Sequence, residues 1–211
     1  MNNVQHSPSP AAQRRPVLFL GSSVTYGSAA GGWSFADALA EQYGLPIVKE
    51  AVSGTTLVND SDQSYIARML RLPADLKPAA LVCQLSTNDA AQGKPLGQIS
   101  AGTAPADFDQ HTITGAMEFI IAHARETWGC PVFFYTGTRF DSPAYAQMVI
   151  RLQELAAKWS ISLIDLWNDP AMNAVAPQDY ARFMHDPVHP TREGYLTWWT
   201  PCFAAALHDY L

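Results

Sequence analysis

The chain has 211 residues, 48% of them hydrophobic and 15% charged, which is enough apolar material for one substantial core and too little charge for an extended unfolded polymer. Its formal net charge of −6, with only 13 scattered lysines and arginines, excludes a surface built for the nucleic-acid backbone. No apolar run approaches the ~20 residues of a bilayer-spanning helix, so no membrane insertion is expected.

Residues 1–16, MNNVQHSPSPAAQRRP, are polar and proline-rich with no apolar signal-peptide region, and they read as a disordered tail ahead of a single domain over 17–211. Val17-Leu18-Phe19-Leu20 is a short continuous apolar run of the kind that forms a buried parallel strand. It breaks into the small polar turn Gly21-Ser22-Ser23-Val24-Thr25-Tyr26-Gly27, and a helix is predicted from Trp33 to Tyr43, ended by Gly44. The next run, Ile47 to Val52, enters Ser53-Gly54-Thr55-Thr56, and a helix over Ser64 to Leu72 stops at Pro73. Ala79 to Leu85 is again apolar and leads into Ser86-Thr87-Asn88-Asp89. The long polar stretch from Ala90 to Gln110 suggests a lid, an interface or disorder.

The second half continues the alternation. Helices are predicted over Ile113 to Trp128 and Pro143 to Trp159, the latter with Tyr145, Met148, Val149, Leu152, Leu155, Ala156 and Trp159 on one stripe. Strands are expected at Pro131 to Thr136 and Ile161 to Leu166. A final helix should start near Thr191 and kink or restart at Pro201. Strand-like runs alternating with helical periodicity point to βαβ units and a parallel sheet of α/β class.

Chemistry is suggested at the ends of these runs. Asp186-Pro-Val-His189 places a carboxylate three residues before an imidazole, and Pro187 and Pro190 make the segment a stiff loop. An aspartate that accepts the Nδ1 proton fixes the histidine tautomer and frees Nε2 to take a proton from a nucleophile. Ser23, in the turn after the first strand, lies at the carboxyl edge where open α/β sheets bind ligands. Gly54 and Asn88 end the next two runs and offer a backbone and a side-chain donor for a developing oxyanion.

Each feature has a plainer reading alone: Ser-Gly is a common turn dipeptide, and Asn-Asp commonly caps helices. The first turn lacks the Lys-Ser/Thr of a phosphate-binding loop and the spacing of a G-x-S-x-G elbow. His185, Asp186 and His189 could be drawn as metal ligands, but Pro187 opposes the helix that would put both imidazoles on one face, so no metal is expected. Cys83, Cys130 and Cys202 show no motif spacing and read as free thiols in a reducing, cytoplasmic setting.

Taken together, GSSVTYG, SGTT, STND and DPVHPTREGY resemble, in order, the four blocks of the SGNH hydrolases, also called GDSL esterases and lipases. The resemblance spans Val17 to Leu211. It implies a three-layer α/β/α fold with a five-stranded parallel sheet in the flavodoxin-like order 2-1-3-4-5. It also implies Ser23 as nucleophile, His189 as base and Asp186 as orienting acid. The oxyanion donors would be the Ser23 amide, the Gly54 amide and the Asn88 side chain. Ser22 stands where the family usually has aspartate and Ser86 where it usually has glycine, which removes a carboxylate from the first turn and adds a Cβ near Asn88.

The activity so implied is cofactor-free hydrolysis of a small-molecule carboxylic ester through an acyl-enzyme, with small acyl groups such as acetyl favoured because no apolar stripe for a long chain adjoins the blocks. Long-chain acyl or lysophospholipid hydrolysis and a non-catalytic binding module on the same fold are the alternatives. Ser22, Trp33, Arg139 and Val188 are the candidate pocket residues. Arg139 could meet an anionic or polyhydroxyl group, face solvent or pair with Asp141.

Overall fold

The computed structural model describes residues 14–211, so the tail expected over residues 1–16 lies largely outside the described residues. Its last residue is already fixed, since the Pro16 carbonyl accepts the Ala79 N–H at 2.8 Å. The continuous apolar runs become the strands β1 (Val17–Gly21), β3 (Ala80–Gln84) and β4 (Val132–Tyr135), buried along their whole lengths. The more polar β2 (Ile47–Ala51) and β5 (Ser162–Ile164) form the two edges. All pairings are parallel and the order is β2-β1-β3-β4-β5.

Side chains alternate across this sheet, so each strand feeds two cores. Leu18, Leu20, Leu81, Cys83, Val132 and Phe134 face one layer, which contains α3 (Tyr65–Met69), α5 (Ile113–His123) and α6 (Pro143–Trp159). Val17, Phe19, Val82, Phe133 and Tyr135 face the other, with α2 (Phe35–Tyr43) and the C-terminal helices. There Phe35 and Phe203 stack with ring centroids 3.8 Å apart.

Helix boundaries follow the caps. The α2 helix begins at Phe35 rather than Trp33 because Ser34 caps it and Asp37 Oδ2 accepts the Ser34 N–H at 2.7 Å. Ser64 caps α3, which is shorter than the predicted Ser64–Leu72 helix. The helix predicted to run unbroken to Trp128 widens to a π-turn over Ala124–Trp128, which buries the Trp128 ring and aims its Nε1–H at the Pro73 carbonyl, 3.1 Å away.

Thr191 caps the last helix through the Gly194 N–H at 3.0 Å. This helix is π-wound over Gly194–Trp199 and turns α-helical over Thr200–Ala206. The change falls beside Pro201, whose missing N–H cannot continue the ladder, and the Thr200 N–H and hydroxyl both reach the Tyr195 carbonyl instead.

The 90–110 stretch is tied through Lys94 and Gln110 to Asp60 and Asn59 in the loop after β2. It straps α5 to α6: Lys158 Nζ donates to the carbonyls of Ser100 (2.6 Å) and Gly102 (2.9 Å), and Arg151 Nη1 to that of Gly97 (2.7 Å). The buried Glu118 carboxylate accepts from Lys158, from Trp159 Nε1 and from the Ser100 N–H. A buried charge with three donors is the kind that interiors tolerate. Cys83 and Cys130 are buried free thiols and Cys202 is a half-buried one. Among the described residues no helix is long and apolar enough to cross a membrane.

Candidate active site

Two segments far apart in sequence meet at the carboxyl edge of the sheet. Ser23 opens the four-residue helix α1 (Ser23–Tyr26), directly after β1, and is nearly buried. Its Oγ lies 2.8 Å from His189 Nε2, which comes from 166 residues away. His189 Nδ1 lies 2.8 and 3.0 Å from the two Asp186 oxygens.

The loop that holds this acid and base is rigid for local reasons. Met184 and Pro190 bridge its ends, and the His185 N–H donates to the His189 carbonyl at 2.8 Å. Asp186 Oδ1 accepts the N–H groups of Val188 and His189, both at 2.8 Å. Partial burial works to raise the Asp186 pKa, but these amides and the imidazole outweigh it and hold the carboxyl below its ordinary range.

The turn that carries Ser23 is ordered by a residue the sequence reading passed over. Gln84, the buried last residue of β3, accepts with its Oε1 from the Ser22 N–H (2.9 Å), the Thr25 N–H (3.3 Å) and the Thr25 hydroxyl (2.8 Å). Thr25 Oγ1 also meets the Tyr135 hydroxyl at 2.7 Å. Gly21 is required here, since a Cβ on it would sit 1.8 Å from Thr25 Oγ1. From the far end of the chain, the Tyr195 hydroxyl donates to the Val24 carbonyl at 2.8 Å and pins α1 to the final helix.

Gly54 takes a left-handed φ of +83°, which suits glycine, and lies exposed at the end of the turn after β2. Asn88 stands on α4 (Thr87–Ala91), which Ser86 caps. One Asn88 amide N–H is engaged by the Thr55 carbonyl at 2.9 Å, so the Asn88 helix and the Gly54 turn are tied together and the second N–H remains for another acceptor. Among the described residues neither the Ser23 nor the Gly54 N–H meets a protein acceptor. The neighbouring Asp89 is fully buried and accepts the N–H groups of Leu57 and Val58, which fixes the chain downstream of the same turn.

The four pocket candidates separate. Val188 lines a narrow cleft with Val24, Leu85, Tyr135 and Thr138, whose free volume is about 10 Å³. Arg139 lines an adjoining cavity of about 210 Å³ with Met172, Asn173, Tyr180 and Trp198, and Thr138 belongs to both walls. Its Nε donates to the Trp167 carbonyl at 2.9 Å, and it makes no ion pair with Asp141.

Ser22 and Trp33 line neither of these two spaces. The Ser22 side chain is fully buried behind the turn and its hydroxyl has no hydrogen-bond partner among the described residues, so it does not order the turn in place of an aspartate; Gln84 does the ordering. The Tyr65 hydroxyl is likewise unpartnered; burial raises its pKa well above the ordinary value, opposed by the nearby Ser22 and Ser86 hydroxyls. The two positions that depart from the family pattern thus share one buried niche with Tyr65. Trp33 stays against the nucleophile turn, where a Cβ on Gly27 would lie 2.1 Å from its carbonyl oxygen, with its Nε1–H on Glu41 at 2.8 Å and its ring under the Arg192 guanidinium, 4.1 Å from the centroid.

Comparison with known proteins agrees with this architecture. A protein from Lactobacillus plantarum superposes with a TM-score of 0.76 at 18% identity, over 95% of this chain and 100% of that one. A member of the lipolytic protein G-D-S-L family from Veillonella parvula gives 0.63 at 16% identity, over 93% and 99%. A family two carbohydrate esterase from Clostridium thermocellum, solved with cellohexaose, gives 0.65 at 13% identity, over 96% of this chain and 67% of that one. No curated protein sequence matches. The model of the GDSL-like Lipase/Acylhydrolase family matches residues 19–196, a span that runs from β1 through Ser23, Gly54, Asn88, Asp186 and His189 into the final helix. With its sheet order, its helical layers and most of its length accounted for in this way, the chain belongs to the GDSL-like lipase/acylhydrolase family, a family of ester hydrolases.

Proposed function

We propose that the protein is a serine esterase that removes small acyl groups from an alcohol through an acyl-enzyme. The observation that carries the reading is the unbroken hydrogen-bonded series from Ser23 Oγ through His189 to Asp186. A serine hydroxyl is a weak nucleophile at its own pKa, and a neutral imidazole 2.8 Å away removes its proton as the oxygen attacks. Asp186 orients the ring and steadies the imidazolium that forms.

The carbonyl oxygen becomes negative as the tetrahedral intermediate forms, and the N–H groups of Ser23 and Gly54 with the Asn88 amide are the donors assigned to it. Collapse breaks the bond to the alcohol oxygen, which takes the proton from His189. Water then gives a proton to His189, attacks the acyl-serine, and the acid and free Ser23 are released as that proton returns to Oγ. The narrowness of the cleft between Val24 and Val188 favours a two- or three-carbon acyl group over a long chain, and the cavity beside Arg139 and Trp198 is the space for the alcohol.

A fluorophosphonate probe tests the nucleophile: it should label the parent protein and not Ser23→Ala, and a parent that stays unlabelled would overturn the assignment. A p-nitrophenyl ester series tests the acyl group, with acetate and propionate expected to be turned over faster than octanoate. Preference for octanoate would instead support a long-chain acyl hydrolase.

A further inference from the structure

We infer that Arg68 is a positioning residue that sets the spacing of the oxyanion donors, an inference that rests on the serine-esterase reading above. Arg68 lies on α3 and is among the most deeply buried side chains of the protein, 1% exposed. Each of its five N–H donors has an acceptor available. Nε donates to the Gln63 carbonyl (2.9 Å), Nη1 to the Glu50 carbonyl (2.7 Å) and carboxylate (3.2 Å), and Nη2 to the Gly21 carbonyl (2.7 Å) and Thr55 Oγ1 (3.2 Å).

These acceptors are the ends of the segments that make the site. Gly21 closes β1 and precedes Ser22-Ser23, and Glu50 is near the end of β2, which leads to Gly54. The Gly21 carbonyl also accepts the Val52 N–H at 3.3 Å, so the two strand ends and the guanidinium share one junction. Thr55 directly follows Gly54; its hydroxyl is bonded to Arg68 while its carbonyl accepts from Asn88. A planar guanidinium therefore lies one or two bonded links from all three assigned donors.

A charge is costly to bury, and a core could be filled at this place by an apolar side chain of similar volume. What an apolar side chain cannot do is hold one carbonyl of the nucleophile turn and one hydroxyl of the oxyanion turn at a fixed separation. Lysine would not do it either, since its three donors radiate from a single nitrogen. Donor spacing matters most when the carbonyl oxygen carries its full charge, so loss of Arg68 should fall on kcat and leave KM nearly unchanged.

The test uses Arg68→Lys and Thr55→Val, with active sites counted by fluorophosphonate titration so that a reduced folded fraction does not enter the rate. The expected result is a kcat per titrated site lower by about 10²-fold for Arg68→Lys, the scale of a misplacement near 1 Å. For Thr55→Val, which removes the hydroxyl's bond to Arg68 and also its 2.7 Å bond to the Val52 carbonyl, roughly tenfold is expected, the scale of a charge-assisted hydrogen bond. KM should stay close to the parent value, and inhibition by phenylboronate, whose serine adduct is tetrahedral, should weaken by the same factor as kcat.

A kcat per titrated site equal to that of the parent in both variants would overturn the inference, as would a change confined to KM. If Arg68→Lys does not fold, Thr55→Val decides alone. A parent that hydrolyses no ester would overturn both this inference and the esterase reading, whereas an active parent with indifferent variants would overturn only the role of Arg68.

Discussion

Replacing Gln84 by leucine should damage both the stability and the rate of this protein, in amounts that follow from its hydrogen bonds. Leucine fits a site that is 2% exposed but offers no acceptor. The Ser22 N–H, now bonded at 2.9 Å, would be left unpaired in the interior, at about 1–3 kcal/mol. Thr25 Oγ1 would lose its 2.8 Å acceptor and keep only Tyr135, a loss of roughly 1 kcal/mol. The longer Thr25 N–H contact at 3.3 Å adds little.

The sum is about 2–4 kcal/mol, and for a domain of this size each kcal/mol moves Tm by about 2–4 °C, so a fall of roughly 4–16 °C is expected. Thermal and urea unfolding, with m unchanged, measure this part. Because Ser22 adjoins the nucleophile, kcat on p-nitrophenyl acetate should also fall, on the order of 10- to 10²-fold. A variant that melts with the parent and turns over at the parental rate would refute the view that the Gln84 carboxamide holds the turn.

Two further outcomes bear on the chemistry. Asn88→Ala should lower kcat on the order of 10²–10³-fold, the scale for one oxyanion donor, with a much smaller change in KM; parental kcat would remove Asn88 from that role. The acid limb of the kcat/KM profile should show a single protonation, that of the base. Asp186 has a pKa held below its ordinary value, so it remains a carboxylate until pH falls through its lowered folded-state value. Any stability that this carboxylate contributes is likewise present above its unfolded pKa and lost as pH falls through the folded one. A two-proton acid limb under conditions where chemistry limits the rate would contradict this.

The parts of the fold legible in the sequence are those where one local signal decides. Val17–Leu20 and Ala80–Cys83 are apolar on both faces of the sheet, so a continuous run sufficed to mark them, and the stripe of α6 is unbroken over 17 residues. The positions of Ser23, Gly54, Asn88, Asp186 and His189 were readable because each ends a run or lies in a stiffened loop. Gln84 and Arg68 were not, since their roles depend on which other backbone atoms surround them, and nothing in their own neighbourhoods distinguishes a bonded polar group from a solvated one. Trp33 does lie beside the Ser23 turn, against Gly27, but its partners Glu41 and Arg192 are set by tertiary packing that no local signal announces. The long polar 90–110 stretch left a lid, an interface or disorder open, and only the side chains of α5 and α6 reveal it as a strap.

The clasp between Tyr195 and Val24 spans 171 residues and the pair Ser23–His189 spans 166. Translation therefore delivers the Ser23 turn well before the His189 loop. Ser23 has neither the His189 imidazole nor the Tyr195 clasp on α1 until the segment through the final helix has been made and has folded back onto α1. On the serine-esterase reading, an intermediate of synthesis that stops short of His189 would carry the serine without its base.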